Sequence, residues 1–457
     1  MKIRFVTLGC KLNFAESSAI GKALLQRGHT RAKQGEEADI CVINTCSVTD
    51  NADHKDRQTI HRIHRQNPNA IIIVTGCYAQ LQPEQIAQIE GVNYVLGQNE
   101  KYEITQLVDD IERLRDSLED ASLQDAASGY SLEAQKIRVA NIREVDEFHG
   151  AYSKDDRTRC FLKVQDGCNY FCTYCTIPYA RGKSRNPKIE EVVKDAQEAI
   201  LQGAKEIILT GVNIGDFGRS TGEAFIDLLK ALDNLGEEAI RREARGDGQE
   251  AKGERREAKG MDYRIRISSC EPNLLTDEII DFVAQSKHFA PHFHIPLQSG
   301  SNEVLSIMKR RYTRELFEER VQHIKQVMPH AFIGVDCMVG VRGETEECFN
   351  DYVDFIKRLD VSQLHVFTYS ERANTRMLEL DVCIVPKAER QRRSKILHEI
   401  SEEKTRTFYA NQTGREAIVL WESKKEGDQM AGFTENYVKV YRPYDKAKVN
   451  TFEVIRL

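Results

Sequence analysis

Short continuous apolar runs alternate with longer amphipathic stretches through the N-terminal part of the chain. KIRFVTL (2–8), ADICVINT (38–45) and AIIIVTG (70–76) are unbroken apolar runs, the pattern of strands buried on both faces. Phe14–Arg27 and Asp50–Arg65 lie between them with helical character, and a further helix is expected after Pro83, which suits a first helical turn. Strand alternating with helix predicts a parallel sheet covered by helices. Asp109–Ser131 is polar and reads as helix or linker.

The same rhythm restarts near Arg159. FLKVQ (161–165), EIILTG (206–211), YRIRISS (263–269), HFHIPL (292–297), FIGVDCMVG (332–340) and QLHVFTYS (363–370) are β-type runs with helical connections, which predicts a closed or partly closed α/β barrel. Residues 387–408 read as a charged connecting helix. REAIVLWES, NYVKVYRP and FEVIRL then read as strands of a small β-barrel. The chain thus divides into an N-terminal domain over 1–130, a linker over 131–150, a barrel domain over 151–385 and a C-terminal unit over 386–457. Residues 236–260 interrupt the barrel. They hold seven acidic and seven basic residues, no aromatic residue and the tetrapeptide RREA twice, so they cannot bury a core and are expected to form a mobile excursion.

At 457 residues, 40% hydrophobic and 30% charged, the composition is that of an ordinary globular protein. No run of eighteen apolar residues and no signal-peptide pattern at Met1–Asn13 occurs, so a cytoplasmic protein without membrane contact is expected. The net charge of −6 is unevenly spread: from Pro386 onward fifteen Lys/Arg stand against eleven Asp/Glu. An acidic body with a basic tail can still bind RNA, because contact depends on the local patch. That tail is expected to be separable from the barrel. Twelve cysteines are too few to staple a chain of this length, so clustered ones are read as metal ligands or catalytic groups.

DGCNYFCTYC (166–175) is such a cluster, with Cys168, Cys172 and Cys175 spaced C-x-x-x-C-x-x-C directly after the first barrel strand. Three thiolates can hold three irons of a [4Fe–4S] cluster and leave the fourth open for a substrate or second cofactor. A zinc knuckle completed by Cys160 or His149 is the alternative. A second, dispersed triad consists of Cys10, Cys46 and Cys77, each just after one of the N-terminal strands. Singly each could be a core cysteine. Together they fall at the carboxyl edge of one parallel sheet, where open α/β folds place ligands.

The C-x-x-x-C-x-x-C spacing with Tyr174 before the last cysteine resembles the signature of radical S-adenosylmethionine enzymes. In that superfamily the open iron chelates the methionine moiety, and reduction releases a 5′-deoxyadenosyl radical. TLGCKLN (7–13), INTCSVT (43–49) and VTGCYAQ (74–80), followed by that motif and a small β-barrel, are similar to the methylthiotransferases over nearly the whole chain. The resemblance implies an α/β protein with a flavodoxin-like N-terminal domain, a partial (β/α)6 radical domain and a C-terminal TRAM domain. It also implies two [4Fe–4S] clusters, S-adenosylmethionine as methyl donor and radical source, and an electron donor such as flavodoxin or ferredoxin. The reaction would replace a C–H bond by C–SCH3.

Relatives act on tRNA carrying isopentenyladenosine, on tRNA carrying threonylcarbamoyladenosine, or on a ribosomal-protein aspartate. Lys11 in GCKLN, with ISSCEP (267–272) and HVFTYS (365–370), resembles the threonylcarbamoyl branch and marks Lys11 as a candidate substrate-binding residue near the anticodon stem-loop. Candidate S-adenosylmethionine contacts are Tyr174 toward the adenine, Asn213 in TGVN, Gln298 in PLQSGS, and Gly340 and Glu344 in VGVRGET. Relatives typically read GFPGET there, so Val341 and Arg342 depart from the pattern. His292 and His294 are read as structural. A non-enzymatic iron–sulfur tRNA-binding protein is the reading of another class.

Overall fold

The computed structural model describes all residues except 34, 121–135, 154–157 and 236–262, so the expected excursion at 236–260 and the end of the 109–131 segment lie outside the described residues. A six-stranded parallel sheet forms the N-terminal part, in the order β2-β1-β3-β4-β5-β6. Its strands are β1 (Lys2–Thr7), β2 (Thr30–Arg31), β3 (Ile40–Thr45), β4 (Ile71–Gly76), β5 (Val92–Leu96) and β6 (Ile137–Arg138). The continuous apolar runs are explained by this burial. Ile40 and Val42 pack on one face with the helix Ile104–Asp120, while Cys41 and Ile43 pack on the other with Ile60 and Ile63 of the helix Asp50–Gln66. Strand β6 pairs with β5, so the sheet continues past residue 130 into the expected linker.

The central part has β7 (Ala151–Tyr152), β8 (Arg159–Lys163), β9 (Glu206–Thr210), β10 (Arg264–Ile267), β11 (His292–Gln298), β12 (Phe332–Val339) and β13 (Gln363–Thr368). Strands β8 to β10 and β11 to β13 are parallel within two sheets, and single bridges Ile265–Phe289 and Ser269–His294 carry the curvature from β10 to β11. Alternation sorts the side chains of this partial barrel. Leu162, Ile207, Ile265, Ile295 and Val335 join the apolar layer beneath the outer helices. The intervening positions, Lys163, Arg266, His294, Asp336 and His365, point the other way, into the lumen.

The open side of the barrel is closed by the N-terminal part. Ala15 of the helix Lys11–Gln26 packs with Ala151, Phe161 and Ile208 on the inner face of β7 to β9. The bottom is closed by the C-terminal unit, a four-stranded antiparallel sheet of β14 (Glu416–Glu426), β15 (Gln429–Phe433), β16 (Lys439–Pro443) and β17 (Phe452–Arg456) in the order β16-β15-β14-β17. Phe332 at the start of β12 packs there with Phe408 and Val438. Among the described residues no helix is long and apolar enough to cross a membrane.

Candidate active site

Adjacent strands β1, β3 and β4 end level with one another: Thr7 pairs with Asn44, and Thr45 with Gly76. Cys10, Cys46 and Cys77 therefore emerge side by side at one sheet edge. Two glycines make this possible. Gly9 has φ +98°, and a Cβ there would stand 2.6 Å from Cys46 Cβ; Gly76 has φ +102°, and a Cβ would stand 2.3 Å from the Thr45 carbonyl oxygen. Burial pushes the Cys46 thiol up to about 12, with Cys77 and Cys10 adding to the shift, and burial raises Cys77 as well, with Cys10 contributing. The three sulfurs thus share one pocket. Gln98 donates to Cys77 Sγ at 3.2 Å, and the Cys46 amide donates to Asp56 Oδ2 at 2.9 Å.

Cys168, Cys172 and Cys175 lie on the loop after β8, at the carboxyl end of the barrel. Burial pushes Cys168 and Cys175 up to about 12 and raises Cys172, and Cys172 adds to the shifts of both its neighbours. Arg310 donates to Cys172 Sγ at 3.2 Å and also engages Glu271 and the Tyr174 hydroxyl. The two residues weighed as a fourth ligand are engaged elsewhere. Cys160 is buried beside Ser153 and Asp195, and His149 stacks on Tyr102 at 3.9 Å.

The two triads face each other across the domain boundary. Thr176, next to Cys175, donates to the carbonyl of Ser47, next to Cys46, at 3.3 Å. Arg372 donates to Ser47 Oγ and Asp53. Beneath them a buried charge network joins the halves. Glu16 contacts Lys101 at 2.6 Å, Arg181 at 3.0 Å and Lys163 at 3.1 Å, while Asp166 contacts Lys163 at 2.8 Å, Arg181 at 3.0 Å and Arg185 at 3.3 Å. Burial alone would raise both carboxyls, but Arg181, Lys101 and Lys163 hold Glu16, and Lys163, Arg181 and Arg185 hold Asp166, well below the usual carboxylate range. Cations outnumber carboxylates here, and Cys77 and Cys10 help hold Arg181 charged. The base of the N-terminal triad is therefore electropositive, which suits thiolates.

The barrel rim carries buried polar atoms without partners: both amide atoms of Asn213, Asn273 Oδ1, Gln298 Oε1 and Asp216 Oδ2. Asn213 lies close to the Tyr170 hydroxyl, yet its amide closes no hydrogen bond of normal geometry among the described residues. Asn213 and Gln298 thus face the site. Tyr174 is half-buried against Val304, Met308 and Tyr369, with its hydroxyl on Arg310. Gly340 and Glu344 meet the helix Lys387–Ala410 instead: Gly340 lies against Arg390, and Glu344 accepts from Arg393 at 2.7 Å and from the Gly340 amide at 2.9 Å. Val341 is fully buried in the same small cluster as Tyr369, and Arg342 pairs with Glu371 at 3.0 Å.

The lumen adds two groups not singled out from the sequence, Asp336 and His365, beside His294: His294 Nε2 lies 2.7 Å from Asp336 Oδ1, and His294 and His365 meet edge-on at 5.0 Å. His292 keeps a packing role, stacked on Phe332 at 5.3 Å. The sequence signal for Asp336 was a carboxylate within the apolar run FIGVDCMVG. Arg310 and Arg181 had no comparable signal among 65 lysines and arginines.

The profile of the Radical SAM superfamily matches residues 162–356, and that of the Uncharacterized protein family UPF0004 matches residues 2–97. The fold is shared by the radical S-adenosylmethionine methyltransferase TsrM from Kitasatospora setae, with a TM-score of 0.54 at 16% identity, over 80% of this chain and 72% of that one. The class is thus a radical S-adenosylmethionine protein. The threonylcarbamoyladenosine tRNA methylthiotransferase MtaB of Bacillus subtilis (strain 168) is 36% identical over 96% of this chain and 89% of its own length. The protein of that name from Aquifex aeolicus (strain VF5) is 34% identical over 97% of both. The chain belongs to this family of methylthiotransferases.

The superfamily implies a [4Fe–4S] cluster and S-adenosylmethionine. The residues fit both: three clustered thiols with a guanidinium on one sulfur suit an anionic cluster, and unpartnered amides on the rim suit an amino-acid ligand. Among the described residues no three His, Cys, Asp or Glu side chains converge tightly enough for a single metal ion.

Proposed function

We propose that the chain installs a methylthio group on carbon 2 of N6-threonylcarbamoyladenosine next to the tRNA anticodon, giving 2-methylthio-N6-threonylcarbamoyladenosine. The observation that carries this reading is the pair of cysteine triads on facing edges, joined through Thr176 and Ser47. Cys168, Cys172 and Cys175 would hold the radical cluster, and Cys10, Cys46 and Cys77 a second [4Fe–4S] cluster. When bound, the radical cluster and S-adenosylmethionine would supply a 5′-deoxyadenosyl radical and the methyl group, and the second cluster would present the sulfur, its own or an added sulfide. The protein's own work is placement. Asn213 and Gln298 orient S-adenosylmethionine by hydrogen bonds, and Tyr174 flanks its adenine. Gly340 and Glu344 act through their contacts with Arg390 and Arg393, which hold the rim loop in shape. Arg310 and Arg181 compensate thiolate charge on the two sides. Lys11 faces the substrate. A cytoplasmic flavodoxin or ferredoxin is the electron donor in this reading.

Nucleoside mass spectrometry of tRNA from cells with and without the gene tests the product; a methyl in place of a methylthio group would reassign the reaction. Anaerobic reconstitution should load about eight irons per chain, and alanine at Cys10, Cys46 and Cys77 should leave about four. That variant, once circular dichroism is native, should still yield 5′-deoxyadenosine with dithionite but no methylthio product. If the well-folded variant methylthiolates, the N-terminal cysteines are core residues only.

A further inference from the structure

Among the described residues, the luminal wall holds a cation, Lys11, that the fold itself leaves unpaired. Lys11 opens the helix Lys11–Gln26, the element whose Ala15 seals the barrel's open side, so its side chain starts inside the mouth. Its ammonium is near enough to Asp336, Arg159 and Arg266 for their charges to act on it, yet among the described residues it makes no ion pair or hydrogen bond. The neighbouring groups are committed. Asp336 is held by His294 at 2.7 Å, Arg159 by Glu422 at 3.0 Å and Arg266 by Glu206 at 3.1 Å. Lys11 is solvent-accessible, as a side chain on the wall of a wet cavity must be to meet a ligand.

A lysine in a first helical turn also opposes the helix dipole, and this turn carries no acidic residue to offset it. Local stability therefore does not explain Lys11. A cleft of about 710 Å³ lies between β13 and the helix Lys387–Ala410; its lining includes His365, whose ring meets His294, and Phe367, 46% exposed, a platform on which a base can stack.

We infer that Lys11 is the specificity-determining residue for an anionic N6 substituent, its ammonium taking the carboxylate of the threonylcarbamoyl arm when the base enters from the β13 cleft. The inference rests on the substrate reading above. Threonylcarbamoyladenosine differs from a prenylated adenosine in carrying that carboxylate, and an unpaired ammonium one residue from Cys10 supplies the matching charge beside the N-terminal triad. A buried acceptor site for an isoprenoid arm would have no use for it.

The test is equilibrium binding of the holoenzyme to three anticodon stem-loop RNAs, bearing threonylcarbamoyladenosine, the same nucleoside with its carboxylate converted to carboxamide, or isopentenyladenosine. The wild-type protein should prefer the carboxylate RNA to the carboxamide by about tenfold, the value of one charged contact. Lys11→Gln should abolish that preference and Lys11→Arg should keep most of it. In steady state the Lys11→Gln loss should fall on KM more than on kcat. A wild-type preference that survives unchanged in a folded Lys11→Gln overturns the role of Lys11 while the substrate reading stands. Wild-type binding that favours the isopentenyl RNA overturns the substrate reading itself. Equal wild-type binding to carboxylate and carboxamide rejects carboxylate recognition whether or not the variants fold.

Discussion

Gly76 shows how closely the site is written into single residues. Its φ of +102° with ψ of −167° lies in a region open essentially to glycine, and a Cβ would press on the Thr45 carbonyl. Gly76→Ala should cost about 1–3 kcal/mol from backbone strain. Denaturant titration of the apoprotein reads the cost, and reconstituted iron should drop because Cys77 is displaced from Cys46. Glu16 gives a second prediction. Glu16→Gln leaves Lys101, Lys163 and Arg181 buried with too little negative charge, a loss of about 3–5 kcal/mol at neutral pH. The sign with pH follows from its depressed pKa. Its contribution is complete above the unfolded carboxyl value and is lost as pH falls toward the folded one. From about pH 5 to about pH 3 the wild-type apoprotein should lose stability steeply and Glu16→Gln less so. The cysteines were legible in the sequence; the glycines before Cys10 and Cys77 stood in the same motifs, but their role came only with the backbone. Glu16 was not, because a glutamate on an amphipathic helix reads as solvated.

The elements themselves were largely legible, because strands buried on both faces leave unbroken apolar runs. Strands β2, β5, β6 and β7 escaped: β2, β6 and β7 have two residues each, and the apolar run of β5 is broken by exposed Asn93. The helix Lys387–Ala410 is the element whose role changes most. Its charge suggested a connector, yet Leu397 and Ile400 belong to the barrel core and Ser401 Oγ both accepts from Leu364 N and donates to Leu364 O, each at 2.9 Å. Cutting before Pro386 should therefore unfold β13 and abolish S-adenosylmethionine cleavage along with RNA binding, contrary to the expectation of a separable tail. The cleaner experiment removes charge alone. Exposed Lys424, Lys425 and Lys446 share the C-terminal sheet and its 3-10 turn with exposed Tyr441 and Tyr444. Alanine at all three lysines should lower the salt slope of RNA binding by about two units while the barrel stays folded.

At the scale of the molecule, neither half alone shows what aligns the triads. Alignment depends on Glu16, Lys101, Lys163, Asp166, Arg181 and Arg185, six charged residues whose burial no local pattern announces. Because removing one partner strands the rest, Arg181→Met should uncouple the halves. Calorimetry should show one cooperative transition in the wild-type apoprotein and two in the variant. Separate transitions in the wild type would mean that the network does not join the halves energetically.

That network also fixes the choreography of turnover. Pulling the N-terminal sheet from the barrel would bring several charges into the open at once, so neither triad can travel to meet the other. In the proposed reaction the protein is then a rigid anvil with two fixed jaws, and the modified adenosine would be the moving part, brought to the triads and withdrawn again at every turnover.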